Sequence, residues 1–201
     1  MNYPEYSAEL ADLLLADQDE KKKLGEAFFH DPDKMQTLQK TTRTNAELRV
    51  NRALEILDAI GEPSISNIGL EGTQALSVLA VHTSIDNLKK LLVSFMKVYE
   101  HQRDECYFQA IPSMTDRLLI LEGKPQRFGT QWMFDANKYP FLPTVEDFEH
   151  VNERRAEYQI EPLRWPKSLA IPESEQPWLK QPLSKAIIRQ PTKTELADFR
   201  S

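Results

Sequence analysis

The sequence is poor in several features that define large classes of protein. Cys106 is its one cysteine, so the chain forms no internal disulfide, and a reducing compartment fits this composition. No apolar run approaches the roughly 18 residues that a membrane-spanning helix needs. The amino-terminal residues also lack the basic flank and apolar stretch of a signal peptide. We therefore expect a soluble, cytoplasmic protein with no membrane partner.

Long blocks of positive charge are missing too. The chain has 25 Lys and Arg residues against 31 Asp and Glu residues, which gives a net charge of −6. A nucleic-acid-binding protein usually carries a basic surface that follows the phosphates. The short run Lys21, Lys22 and Lys23 follows Asp19 and Glu20, an order typical of a solvated helix face with internal ion pairs. No nucleic-acid partner is expected.

Helical periodicity is the strongest signal that the sequence does contain. Apolar residues recur at the three-and-four spacing of amphipathic helices over 7–29, 44–60, 71–82 and 86–102. Thr44 and Glu47 have the spacing of a capping box at a helix start, and Gly61 suits a helix end. These elements predict a helical core.

The chain after residue 111 carries weaker signals. Residues 112–122 fit a helix or a buried strand, and a helix is preferred because Pro112 suits a first turn and Gly123 suits a carboxyl-terminal stop. A hairpin is predicted over 127–142. A last helix is predicted to start at a Thr144 cap and to run to about residue 158.

Beyond Glu161 the composition changes. Six of the thirteen prolines lie here together with Trp165 and Trp178, and proline-rich sequence favours an extended chain. Burial of the two tryptophans favours docking of this tail. The sequence therefore predicts a mainly α fold: a compact helical domain over 1–160 with one small β-hairpin, and an extended Pro-rich tail over 161–201 docked on that domain.

Three short motifs stand out in the second half of the chain: Asp116-Arg117, then Glu122-Gly123-Lys124-Pro125-Gln126, then Phe128-Gly129-Thr130-Gln131. With these motifs the chain resembles a family of uncharacterised bacterial proteins that is classed as a domain of unknown function. The signature of that family is Asp-Arg, Glu-Gly-x-Pro-Gln and aromatic-Gly-Thr-Gln. The resemblance covers roughly residues 10–160 and extends to Asp17-Gln18, Asn51, 69–72, His82 and Arg154-Arg155.

The resemblance implies a set of positions and no established activity. Two positions differ from the family pattern. Lys21 or Lys22 stands where an Arg usually follows the Asp-Gln pair, and His82 is not followed closely by Ala-Asp. Asp86 could share a helix face with His82 if one helix continued through Ser84, but Ser84 could instead cap the next helix.

Two polar residues interrupt the apolar stripes. Asp17 and His82 each lie on an otherwise apolar helix face, and buried polar groups need partners. One hypothesis is a pocket in which a catalytic histidine and carboxylate meet ligand-binding groups. Its catalytic residues would be His82 and Asp116, and its binding residues Asp17, Asn51, Arg117, Gln126, Thr130 and Gln131.

The alternative for the same residues is a buried structural network, in which Asp17 pairs with Lys21 or Arg117 and His82 is hydrogen bonded in the core. A metal site through His82, Asp86 and Asp116 is disfavoured, because the spacing is not compact. The sequence also has no Gly-x-Ser-x-Gly elbow and no Gly-rich phosphate loop. It names no cofactor.

Two functions follow from these alternatives. The first is an enzyme that acts on a small polar or anionic molecule by acid-base chemistry, in which Arg117 binds the anionic group. The second is a non-catalytic module that binds a ligand or a protein partner through the hairpin or the tail, while its polar residues form a structural network. The sequence leaves both open.

Overall fold

The computed structural model describes residues 2–135, 137, 139–163 and 187–200. Helices dominate these residues, so the predicted mainly α fold is confirmed. The chain forms two compact units, Met1–Met114 and Thr115–Ser201. Among the described residues, none of the helices combines the length and the apolar character that crossing a bilayer requires.

The first unit contains four long helices: α1 (Pro4–His30), α2 (Pro32–Ile60), α3 (Ile65–Ala80) and α4 (Ile85–His101). They correspond in order and place to the four predicted helices. Their buried faces form an apolar core that includes Leu10, Val50, Ile56, Leu76, Leu79, Leu88, Leu91 and Phe95. The apolar periodicity therefore predicted the interior of this unit.

The start of α2 differs from the prediction. The helix begins at Pro32, and Asp31 caps it by accepting a hydrogen bond from the backbone N–H of Lys34 at 3.1 Å. Thr44 lies inside the helix, where its hydroxyl donates to the carbonyl of Lys40 at 3.2 Å. The predicted capping box at Thr44 is wrong, because this hydroxyl bonds back within a continuing helix.

Helix α3 packs closely against α1 because it has small residues where the two meet. Gly69 interrupts the helical backbone with φ 68°, a conformation that glycine adopts without strain. A Cβ atom on Gly72 would lie 3.2 Å from the Cα of Ser7 in α1. This close approach brings the carboxyl-terminal end of α3, which leads to His82, beside α1.

The second unit combines helices with a small sheet. Helix α5 (Ala110–Leu121) leads into it from the first unit, and α6 (Val151–Glu157) and α7 (Lys193–Arg200) follow. Strands β1 (Met133–Phe134) and β2 (Pro140–Pro143) pair antiparallel, which confirms the hairpin, and β3 (Ile187–Arg189) pairs parallel to β2. Ile120, Met133, Phe141 and Leu196 form an apolar cluster in this unit.

One prediction for this unit fails. Thr144 does not cap a helix: its backbone N–H donates to the carbonyl of Arg189 beside the sheet, and α6 begins only at Val151. The described part of the tail contains β3 and α7, which the sequence did not predict. Trp165 and Trp178 lie outside the described residues, so the docked tail over 161–201 stays a prediction.

Candidate functional site

The first unit holds a buried carboxylate bonded to a partly exposed histidine. Asp17 on α1 is fully buried, and His82 lies in the turn after α3 with 22% of its side chain exposed. Asp17 Oδ2 and His82 Nδ1 are 2.7 Å apart, which is a strong hydrogen bond. The structure thus brings together the two polar residues that the sequence singled out, but His82 follows the end of α3 at Ala80 and does not lie on a helix face as predicted.

A charged network from α2 lies next to this pair. Arg49, whose side chain is 9% exposed, has its Nη2 atom 3.7 Å from Asp17 Oδ1 and 2.7 Å from Glu20 Oε2. Asn45 donates to the other oxygen of Glu20 at 2.7 Å. Arg49 is therefore held between two carboxylates of α1 and interacts more closely with Glu20.

The charges around Asp17 favour its ionised form. Burial acts to raise the pKa of the Asp17 carboxyl, but the hydrogen bond from His82 and the positive charges of His82, Lys21 and Arg49 outweigh it, so the pKa is lowered. An ionised carboxylate accepts hydrogen bonds only. His82 Nδ1 therefore carries the proton in this bond, and a neutral ring has its lone pair on Nε2.

Two other residues that the sequence placed near His82 lie elsewhere in this unit. Asn51 is exposed on α2. Asp86 is exposed in α4, whose amino terminus Ser84 caps by accepting from the backbone N–H of Asn87 at 3.4 Å. Because α3 ends at Ala80 and α4 begins at Ile85, His82 and Asp86 do not share a helix face.

Asp116 is also a fully buried carboxylate, and it organises a loop of the second unit. Its Oδ1 accepts from the backbone N–H groups of Arg127 at 2.7 Å and Phe128 at 3.0 Å. Its Oδ2 accepts from the backbone N–H and the hydroxyl of Thr130, both at 2.8 Å. Burial raises the pKa of Asp116, and these four donors act in the opposite direction.

Other side chains hold the same loop. Gln126 Nε2 donates to the carbonyls of Gln131 and Pro143, and its Oε1 accepts from the backbone N–H of Gln131 at 2.8 Å. From α6, Arg154 Nε donates to the carbonyl of Arg127 at 2.9 Å. Arg155 Nη1 donates to the carbonyl of Phe128 at 2.7 Å. These bonds give hydrogen-bond partners to N–H and C=O groups of irregular backbone, and buried polar groups need such partners.

The remaining predicted residues lie in the second unit. Thr130 takes part in the Asp116 network, and Gln131 Nε2 donates to the Thr130 hydroxyl at 3.3 Å. Arg117 follows Asp116 in α5 and is partly buried, and burial lowers the pKa of its guanidinium to about 10. The structure thus brings Asp116, Gln126, Thr130 and Gln131 together. The single pocket that the sequence predicted from both groups stays a prediction.

Sequence reasoning missed Arg49, Glu20 and Asn45. A usable signal was present, because Asn45, Arg49 and Arg52 share one face of α2 at three-and-four spacing. Arg52 on that face pairs with Glu9 of α1 at 2.6 Å. Acidic residues of α1 could therefore have been matched with a polar stripe on α2.

The chain gives no match in comparisons with protein-family models, with curated proteins and with solved structures. Within the part of the chain that the structure describes, no group of three or more His, Cys, Asp and Glu side chains is arranged to hold a metal ion.

Proposed function

We propose that the first helical unit carries out acid-base chemistry on a small polar or anionic molecule, with His82 as the proton-transfer residue. The observation that supports this most directly is the 2.7 Å bond between the fully buried Asp17 and a histidine that is 22% exposed. A partly exposed histidine whose Nδ1 is held by a buried carboxylate has the arrangement of a general base.

The proposed step follows from the protonation of the pair. His82 Nε2 accepts a proton from the bound molecule, and the Nδ1–H bond to Asp17 keeps the ring oriented. The imidazolium that forms lies beside an ionised carboxylate, which stabilises it. His82 then returns the proton from Nε2 to the product. General acid-base catalysis of this kind contributes typically about 10²–10⁴-fold to a rate.

The non-catalytic alternative is favoured for the second-unit residues. Asp116 and Gln126 use their polar atoms on backbone groups of one loop, so a structural role explains them without a ligand. Within the proposal, Asp116 therefore supports the loop and the proton-transfer step belongs to His82. Membership of the bacterial family whose signature the chain resembles is likewise proposed, and it adds no reaction.

The test compares three forms of the protein in a cytoplasmic metabolite extract, with mass spectrometry to follow which compounds are consumed. His82→Gln keeps hydrogen-bonding capacity and similar bulk but removes the titrating ring. His150→Gln is the matched control, because His150 also contacts an aspartate, Asp147, at 2.8 Å, but its side chain is 55% exposed.

We expect wild type and His150→Gln to consume the same compound, and His82→Gln to consume it at least about 100-fold more slowly. Equal consumption by wild type and His82→Gln would overturn the proposal. An extract left unchanged by all three forms would overturn it too, and would favour the non-catalytic module.

A further inference from the structure

Only one oxygen of Asp17 is used by His82. The other, Oδ1, is buried and accepts no hydrogen bond from the described residues, and Arg49 Nη2 lies 3.7 Å from it. A buried negative charge needs compensation close by. Arg49 supplies positive charge beside this oxygen, in addition to the histidine on the other oxygen.

Arg49 is itself held in place from α1. Glu20 accepts from Arg49 Nη2 at 2.7 Å and is fixed by Asn45 at 2.7 Å. The Nε atom of Arg49 is buried and makes no hydrogen bond within the described residues, so the guanidinium is not fully used by Glu20. The site therefore contains a buried cation whose Nη2 atom is bonded to Glu20 and lies 3.7 Å from Asp17 Oδ1.

We infer that Arg49 is a positioning residue of the His82 site: it keeps Asp17 ionised and oriented toward the histidine. The inference rests on the proposed function. Arg49 acts through Asp17 and not by contact with the bound molecule. If Asp17 were protonated it could donate to His82 Nδ1, the ring proton would move to Nε2, and the lone pair that accepts the substrate proton would be lost.

The charges that face Asp17 predict the direction in which each substitution shifts its titration. His82 after α3, Lys21 on α1 and Arg49 on α2 lower the pKa of Asp17, and Gln18 Nε2 on α1 is a neutral donor 3.4 Å from Oδ2. Glu20 is the negative group of the same network, and its interaction with Asp17 opposes ionisation. Loss of Arg49 and loss of the Glu20 charge should therefore shift the Asp17 titration in opposite directions.

The experiment follows the carboxyl carbon of Asp17 by NMR as a function of pH in five forms of the full chain, with Asp17→Asn to assign the signal. The variants are Arg49→Gln, Glu20→Gln and the control Arg52→Gln. Arg52 lies on the same face of α2, but its ion pairs are with Glu9 and Glu55. Arg49→Lys tests whether a positive charge alone restores the wild-type titration.

We expect the Asp17 titration to move to higher pH in Arg49→Gln, to lower pH in Glu20→Gln and to stay unchanged in Arg52→Gln. Arg49→Lys should recover part of the shift. A purely structural Arg49 would leave the titration of Asp17 where it is in wild type, and that result overturns the inference. If Arg49→Gln does not fold, the direction of the shift in Glu20→Gln decides: no shift, or a shift to higher pH, overturns it.

This result is separable from the proposed function. The NMR titration reports the charge state of Asp17 without any substrate, whereas the metabolite experiment reports turnover. Opposite shifts in the two variants with unchanged consumption by His82→Gln would retain Arg49 as the partner of Asp17 and reject the chemistry. Loss of consumption in His82→Gln without any shift in Arg49→Gln would reject Arg49 and retain the chemistry.

Discussion

The two units each bury an aspartate completely, but they use the carboxylate differently. Asp116 accepts four hydrogen bonds from one loop, and both of its oxygens are occupied. Asp17 accepts one strong bond from a partly exposed histidine, and its Oδ1 accepts none from the described residues. One carboxylate therefore organises backbone, whereas the other orients a group that can exchange protons.

The pKa values of Asp17 and Asp116 are also shifted in opposite directions. Burial is the largest influence on both carboxyls, but cations overcome it at Asp17 and lower its pKa. At Asp116 burial prevails over four donors, and the pKa is raised. Asp116 thus accepts hydrogen bonds from neutral groups of one loop, while charged neighbours control the histidine pair. Substitutions that affect one unit and not the other can test this comparison.

Asp116→Asn should have the largest effect. The amide has one acceptor oxygen, so about two of the four donors of the loop would face an NH₂ group. Each buried donor left unsatisfied costs about 1–3 kcal/mol, which predicts a loss of about 2–6 kcal/mol in the free energy of unfolding. Urea denaturation measures it. Thr130→Val, which removes only the hydroxyl, should cost about 1 kcal/mol, and equal losses in the two variants would contradict the network.

Gly129→Ala should have the next largest effect. Both Gly129 (φ 66°) and Gly123 (φ 75°) adopt the left-handed conformation that costs other residues roughly 1–2 kcal/mol. A Cβ on Gly129 would also lie 2.8 Å from Leu163 Cδ2, whereas a Cβ on Gly123 would contact nothing within 4 Å.

Gly123→Ala is therefore the matched control. We expect Gly129→Ala to lower the free energy of unfolding by about 1–3 kcal/mol more than Gly123→Ala, because overpacking adds to the backbone strain. Thermal denaturation of both variants under the same conditions tests this. A difference near zero would mean that Leu163 moves aside freely and that the loop is less tightly held than its hydrogen bonds indicate.

The sequence predicted elements that are long and strongly periodic. Helix α4 was predicted to within one residue at each end, because its apolar stripe is regular and Ser84 begins it clearly. The first turns of α2 were missed, because residues 32–43 have no continuous apolar stripe and depend on the Asp31 cap. Strand β3 was missed since three residues show no period, and their pairing with β2 is a long-range contact.

Only part of the site was predicted, again because the sequence pattern does not show long-range contacts. A polar residue on an apolar stripe indicates that a partner is needed, and this singled out Asp17 and His82. The pattern does not identify the partners, which here come from parts of the chain far from Asp17 in sequence. Arg49 was missed for that reason, and Asn51 was singled out by resemblance although it is exposed.

Asp17→Asn should have the smallest effect on stability at neutral pH. The amide oxygen can still accept from His82 Nδ1, so a charged hydrogen bond becomes a neutral one at a cost of about 1 kcal/mol. The group matters more for the pH dependence. Because the folded pKa of Asp17 is lowered, its contribution is present above the unfolded value of about 3.9 and is lost as pH falls through the folded pKa.

The difference in unfolding free energy between wild type and Asp17→Asn should therefore be largest near pH 7 and should shrink as the pH is lowered toward the folded pKa of Asp17. Urea denaturation at several pH values between 7 and 3 measures it. Asp116→Asn serves as the contrast, because the raised pKa of Asp116 gives its carboxyl the opposite linkage. A gap between wild type and Asp17→Asn that stayed constant down to pH 3 would mean that Asp17 does not change its proton occupancy on folding. The ionised carboxylate that orients His82 would then have no thermodynamic support.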